Sequence, residues 1–243
     1  MFKRSIISSS HVVTPAPFFS LVVPLFNEEE SLPDLWEEIQ RTMSSLGTFE
    51  ILFINDGSTD HSKEILDDLQ SSWPQIIRVL HLSHRHGQTA ALKEGLHESK
   101  GEIVITLDAD LQNDPADIPK MFEKLEEGYD CVCGWRKSRQ DTLLKAGLSQ
   151  SGNILQRWLT GLKIHDVSCT LRIYKRRCVR QILLNWEGQH RFIPLSLSLQ
   201  GYKIGELVSH HRQRQYGTTK YSHKRIFKVM ADFFKILLVR ERT

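Results

Sequence analysis

Apolar residues along this chain follow two different periods. Short runs rich in β-branched residues, Ser20-Leu21-Val22-Val23-Pro24, Glu50-Ile51-Leu52-Phe53-Ile54, 76–82 and 103–107, read as strands. Between them the spacing changes to three and four. Leu32, Leu35, Trp36, Ile39 and Met43 predict one apolar helical face, with Glu28-Glu29-Glu30 at its amino end favouring the helix dipole. The turn Asn55-Asp56-Gly57-Ser58-Thr59-Asp60 introduces a second helix that stops before Trp73-Pro74, and Gly87-Gln88 opens a third that closes near Gly101. A helix over 114–127 begins at Asp114, an N-cap followed by Pro115 at the first helical position. Further on, the pattern predicts a short strand over 129–134, a helix over 141–160 ended by Gly161, a polar loop over 164–172 entering a strand, a basic helix after Lys175-Arg176-Arg177, and a last strand over 202–208. Residues 210–221 read as a long polar loop hinged at Gly217. Strands alternating with helices predict an α/β fold with a mostly parallel sheet, whose ligands gather at the carboxyl ends of the strands. Asn27, Asp56 and Asp108 all lie at such ends.

The run Ile103-Val104-Ile105-Thr106-Leu107 stops at Asp108-Ala109-Asp110-Leu111-Gln112. Side chains alternate along an extended strand, so Asp108 and Asp110 are expected on one side, with Gln112 continuing the row. Two carboxylates this close repel each other, and a hard divalent ion such as Mg²⁺ between them and a bound phosphate would relieve that repulsion. Helix capping is the competing role, and Asp114 already fills it.

The net charge of +3 conceals an asymmetry. Residues 1–135 carry 10 Lys and Arg against 23 Asp and Glu, and residues 136–243 carry 22 against 6. An acidic half able to hold a cation beside a basic half suits a metal-bound polyanionic substrate, and the basic half would also suit anionic lipid. No zinc-finger spacing or RNA-recognition run points to nucleic acid. The 243 residues suffice for one large domain. Cys131, Cys133, Cys169 and Cys178 show no paired C-x-x-C spacing, which fits a reducing compartment, and the C-x-C pair reads as small residues in a packed strand. Residues 1–18 read as a flexible lead-in without a signal-peptide core, and no apolar run is long enough to span a bilayer.

Five pieces in order, Val22-Val23-Pro24-Leu25-Phe26-Asn27-Glu28, Asn55-Asp56-Gly57-Ser58-Thr59-Asp60, Gly87-Gln88-Thr89-Ala90-Ala91, Asp108-Ala109-Asp110-Leu111-Gln112 and Gly134-Trp135-Arg136, resemble the family-2 glycosyltransferases of GT-A fold. Within these the chain is similar to the polyprenyl-phosphate group that includes dolichyl-phosphate mannose synthase. His165-Asp166, Cys169 and Leu171-Arg172 look most like the undecaprenyl-phosphate aminoarabinose transferase branch. The resemblance implies a Rossmann-like, mostly parallel sheet flanked by helices, with a GT-A domain over 19–221. It implies that Pro24, Asn27, Glu28 and Asp56 hold the nucleoside of a nucleoside diphosphate sugar. Asp108, Asp110 and Gln112 would hold Mg²⁺ or Mn²⁺; Arg136, Lys145 and Ser149 would take the phosphate of a polyprenyl phosphate. Arg214 and Lys220 would close over the diphosphate. The family often has Asp where Asn55 stands and Arg where Lys145 stands, and a point-charge ammonium is a different phosphate partner from a planar fork.

Such chemistry needs charge stabilisation at the leaving diphosphate, which a cation with Arg and Lys supplies. A phosphate acceptor is already anionic at neutral pH and needs no strong base. Asp166 is the candidate base were the acceptor a hydroxyl of a glycan or glycolipid, and it could equally orient Arg172 or a neighbouring loop. A non-catalytic nucleotide-binding or anionic-surface-binding protein is a third reading, against which the Asp108/Asp110 pair counts. In-line displacement with inversion is implied by the resemblance. Finally, 222–243 predicts an amphipathic helix: Ile226, Met230, Phe233 and Leu237 lie on one face, and Lys224, Arg225, Lys228, Asp232 and Lys235 mainly off it. It would either hold the enzyme peripherally at the cytoplasmic face of a membrane or dock on the chain's own core.

Overall fold

A computed structural model describes residues 16–137 and 162–216, together with Asp232 and Lys235. The predicted helix over 141–160, with Lys145 and Ser149, lies outside these residues, as do Lys220 and the rest of the C-terminal segment.

The sheet has seven strands: β1 (Phe19–Leu25), β2 (Phe49–Asn55), β3 (Ile77–His81), β4 (Ile103–Thr106), β5 (Cys131–Trp135), β6 (Arg172–Lys175) and β7 (Ile204–Val208), in the order β3-β2-β1-β4-β6-β5-β7. Both faces of its centre are covered, so β1 reads as a continuous apolar run in place of an alternating one. Phe19, Leu21, Val23 and Leu25 of β1, with Ile51, Phe53, Ile103 and Ile105, pack against helices α1 (Leu32–Met43), α2 (Ser62–Ser72) and α4 (Ile118–Glu126). Val22, Leu52, Ile54 and Val104 point the other way, onto α3 (Gln88–Glu98), α5 (Arg176–Val179) and α6 (Ile193–Leu199). The buried residues of α1 are Leu32, Leu35, Trp36, Ile39 and Met43, the five that the sequence placed on one face. On the opposite face α3 lies so close to the sheet that a Cβ at Gly95 would come within 2.4 Å of Val22 Cγ1 and 2.5 Å of Ile54 Cδ1. Cys131 and Cys133 are buried in β5, packed as small residues.

One strand breaks the parallel pattern, and it shapes the site. β6 runs antiparallel to β4 and β5, with Thr106 opposite Arg172. The loop entering β6 therefore arrives at the same edge where β1, β2 and β4 end. Asp114 caps a 3-10 turn (Pro115–Asp117) leading into α4, its side chain accepting from Ala116 N–H at 2.9 Å.

The strand before the acidic pair is shorter than expected. β4 ends at Thr106, and Leu111 has a left-handed φ of 59°. Asp108, Asp110 and Gln112 thus stand on a loop beyond the strand, and burial still alternates along it: Leu107, Ala109 and Leu111 are buried, and Asp108, Asp110 and Gln112 between them are half-buried.

Candidate active site

The first two strand ends interlock. Asn27, at a left-handed φ of 56° that asparagine tolerates better than most residues, accepts Thr59 N–H at 2.8 Å and donates its own N–H to Ser58 at 2.9 Å. Glu28 N–H donates to Ser62 Oγ at 3.0 Å. Pro24 is buried in β1 opposite Ile54. Asn55 accepts Ser58 N–H at 2.9 Å and meets His81 Nδ1 at 3.0 Å. Asp56 closes the next loop, its two oxygens accepting His86 N–H (2.7 Å) and Gly87 N–H (2.8 Å). Gly87, at φ 102°, has no room for a side chain without displacing Glu187, whose Oε2 accepts Thr89 N–H at 3.1 Å. Thr89 Oγ accepts Gly188 N–H at 2.8 Å and meets Nδ1 of the buried His190 at 2.6 Å.

Asp108 sits where these loops converge. Gln88 donates to its Oδ1 at 2.9 Å and Thr170 to its Oδ2 at 2.6 Å. Burial, then the charge of nearby Asp110, pushes its carboxyl up to about 6, and the Thr170 hydrogen bond works against that shift. Asp110 accepts Gln112 N–H at 3.2 Å, and its Oδ2 lies 3.9 Å from Arg214. Gln112 contributes main chain here: its carbonyl accepts Arg212 N–H at 2.8 Å. Two mutually repelling, partly buried carboxylates suit a hard divalent cation. Among the described residues no three His, Cys, Asp or Glu converge on a point, so a cation here would take its remaining ligands from water and substrate phosphate, the habit of Mg²⁺.

Arg136 leaves the end of β5 and is held by Asp166. Its Nε donates to Oδ2 at 2.6 Å and its Nη2 to Oδ1 at 3.0 Å, with Ser168 Oγ at 2.9 Å from Nη2. Although Arg136 is largely buried, this carboxylate pushes its pKa further up. Of the partners open to Asp166, then, the structure pairs it with Arg136; the 2%-exposed Arg172 donates instead to the carbonyls of Val167 and His190, both at 2.8 Å. Beside the pair, His165 stacks on Trp135 with ring centroids 4.0 Å apart and meets Glu206 at 2.7 Å.

Residues 210–216 form a strap across the acidic rim. Every second side chain meets a carboxylate: His210 with Asp117 (2.7 Å), Arg212 with Glu38 and Asp114 (both 2.6 Å), Arg214 with Glu28 (2.6 Å) and Tyr216 with Asp34 (3.2 Å). Burial raises the Glu28 pKa, Arg214 opposes this, and Asp110 adds to it. The site thus brings together Glu28, Asp108, Asp110 and Arg214, with Arg136 and Asp166 to one side. Sequence reasoning missed Gln88 and Thr170 on Asp108, Glu187 and His190 behind Thr89, and Arg212 in the strap. The one available signal was the two-residue period of basic residues over 210–214.

The chain matches glycosyl transferase family 2 over residues 20–183. It is 38% identical over 223 residues to dodecaprenyl-phosphate galacturonate synthase of Rhizobium johnstonii, covering 90% of this chain and 66% of that protein. It is 37% identical over 225 residues to undecaprenyl-phosphate 4-deoxy-4-formamido-L-arabinose transferase of Salmonella paratyphi B, covering 92% and 68%. The chain thus spans about two thirds of the length of these relatives. Glucosyl-3-phosphoglycerate synthase from Mycobacterium tuberculosis, solved with Mn²⁺ and UDP-glucose, shares the fold with a TM-score of 0.68 at 18% identity, covering 93% of this chain and 79% of that one. A mostly parallel seven-stranded sheet with acidic and basic loops at its carboxyl edge, matched in sequence over most of its length, makes this chain a member of glycosyl transferase family 2.

Proposed function

We propose that the chain transfers a sugar from a nucleoside diphosphate sugar to a polyprenyl phosphate, with inversion at the anomeric carbon and with Mg²⁺ or Mn²⁺. The observation that carries this reading is the 37–38% identity, over about nine tenths of the chain, to two enzymes named for polyprenyl-phosphate acceptors. In it, Pro24, Asn27, Glu28 and Asp56 frame the nucleoside, and Asp108 and Asp110, with Gln112, hold the cation. A divalent ion bound there stabilises charge growing on the diphosphate as the glycosidic bond breaks. Arg214 and Lys220 serve the same diphosphate. Arg136, with Lys145 and Ser149, receives the acceptor phosphate. The acceptor, with a second pKa of about 6, attacks as an anion, so the reaction asks for a steered phosphate more than for a base. The Asp166 carboxylate, already engaged on Arg136, orients that guanidinium.

The acceptor resides in a membrane, and among the described residues no helix is long and apolar enough to cross one. The proposed reading has the enzyme meet that acceptor from the cytoplasmic surface as a peripheral protein. Its test is to incubate purified protein with Mn²⁺ or Mg²⁺, a short-chain polyprenyl phosphate and a panel of UDP- and GDP-sugars, and to look for glycolipid by mass. A metal-dependent product that disappears in Asp110→Asn supports it. Sugar transfer to hydroxyl acceptors alone, or metal-independent turnover, overturns it.

A further inference from the structure

Asp108 is gripped from two directions by residues far away in sequence, and the hydrogen bonds around it have a defined sense. Asn113 Nδ2 donates to Thr170 Oγ at 3.2 Å, which commits one acceptor site of that hydroxyl and leaves its single proton for Asp108 Oδ2, 2.6 Å away. The Thr170 backbone is fixed as well, its carbonyl accepting Thr106 Oγ–H at 2.6 Å. On the other carboxylate oxygen, an ionised Asp108 only accepts, so the amide nitrogen of Gln88 faces it. Gln88 is the first residue of α3, and its neighbours are pinned: Gly87 N–H on Asp56 and Thr89 N–H on Glu187. Donors thus fix both oxygens of Asp108. Asp110 by contrast is held at one oxygen by Gln112 N–H, with Arg214 3.9 Å from the other.

We propose that Thr170 and Gln88 are positioning residues for the cation site: they lock the plane of the Asp108 carboxylate so that its remaining lone pairs are presented to a divalent ion beside Asp110. A carboxylate free to rotate would have to be ordered when the ion binds, and donors that orient a ligating group raise metal affinity. The proposal rests on the reading of Asp108 and Asp110 as cation ligands and adds two residues outside that pair. The alternative is that both donors merely satisfy a buried carboxylate; they would then matter for folding and not for the ion.

The test titrates Mn²⁺, followed by the electron paramagnetic resonance of the free ion, into full-length protein alone and with inorganic pyrophosphate. Thr170→Val removes the hydroxyl at nearly constant shape, Thr170→Ser keeps it, and Gln88→Met removes the donor from a chain of similar length. Thermal unfolding of each metal-free variant is recorded alongside. The expected result is a Mn²⁺ dissociation constant raised roughly tenfold or more in Thr170→Val and Gln88→Met, the scale seen for orienting partners of metal ligands, and restored in Thr170→Ser. Equal affinities in wild type, Thr170→Val and Gln88→Met overturn the positioning role while leaving the cation site intact. Should wild type bind no Mn²⁺ in either condition, the cation reading itself fails and takes this inference with it. If Thr170→Val unfolds, Gln88→Met, anchored on a different element, decides the matter by the same comparison.

Discussion

Arg136 and Asp166, 30 residues apart in sequence, meet as a two-point fork with N–O distances of 2.6 and 3.0 Å and side chains only 12% and 13% exposed. Both oxygens of Asp166 are taken up by the guanidinium, a geometry that orients Arg136. Asp166→Asn is therefore expected to act through Arg136. The apparent KM for polyprenyl phosphate should rise roughly tenfold, the scale of a lost charge-assisted contact of about 1.5–3 kcal/mol, with the pH profile of kcat keeping its shape. Loss of the acid limb of that profile with unchanged acceptor KM would instead make Asp166 the base.

A pH dependence follows from Asp108, whose carboxyl burial and Asp110 together push up to about 6. A carboxyl whose folded-state pKa is raised stabilises the fold below its unfolded value of about 3.8, and that contribution is lost as pH rises through about 6. A cation competing with the proton has the opposite trend. The rise in Tm on adding Mn²⁺ should be small at pH 5 and should grow to a plateau above pH 7. A shift independent of pH across that range would place the ion elsewhere, and Asp108→Asn should flatten the curve.

How far the sequence disclosed this molecule depends on the range over which each feature acts. The buried face of α1 and the strand-end positions of Asn27 and Asp56 follow from local period and turn chemistry, and both are legible. The left-handed turn at Leu111 is not, because no glycine stands there to announce it. Nor is the antiparallel insertion of β6 between β4 and β5, which brings Thr170 to Asp108 across 62 residues. Single polar residues such as Gln88 and Thr170 have no periodicity, so only their partners reveal them. The basic second half of the chain is legible as charge. That Arg212 and Arg214 lie over acidic residues of the first half is a tertiary fact.

The strap yields a prediction of its own. Arg212 bridges Glu38 and Asp114, and Arg214, two residues on, bonds Glu28 and stands near Asp110. Pairs partly open to solvent are weakened by salt, so the strap should be held less firmly at high ionic strength. Arg212→Ala is expected to raise proteolytic cleavage within 210–216 several-fold and to raise the KM for nucleotide sugar, since Arg214 is no longer held in register. Wild type at about 0.5 M salt should move the same way. Unchanged cleavage in the variant would show that the main-chain bond from Arg212 to the Gln112 carbonyl suffices to fix the strap.

The C-terminal segment was expected to place Asp232 mainly off its apolar face, and here the structure differs. Asp232 is helical and only 1% exposed, and Lys235, its partner at 3.5 Å, is exposed. The reason is a recess at Gly188: a Cβ there would stand 2.9 Å from Asp232 Oδ2, so a glycine at φ 103° makes room for the carboxylate. Gly188 also donates its N–H to Thr89, at the amino end of the helix whose first residue, Gln88, bonds Asp108. Asp232 thus docks on the chain's own body, one residue layer behind the site. Two expectations separate docking from membrane contact. A chain ending at Lys220 should unfold several degrees lower than the full chain, because it loses the buried Asp232 that fills the recess at Gly188. In co-sedimentation with vesicles of increasing anionic-lipid content, Asp232→Leu should bind as the full chain does, because Asp232 faces inward. If instead the shortened chain keeps its full Tm and loses only vesicle binding, the segment serves the membrane alone and the Asp232 contact contributes nothing to the fold.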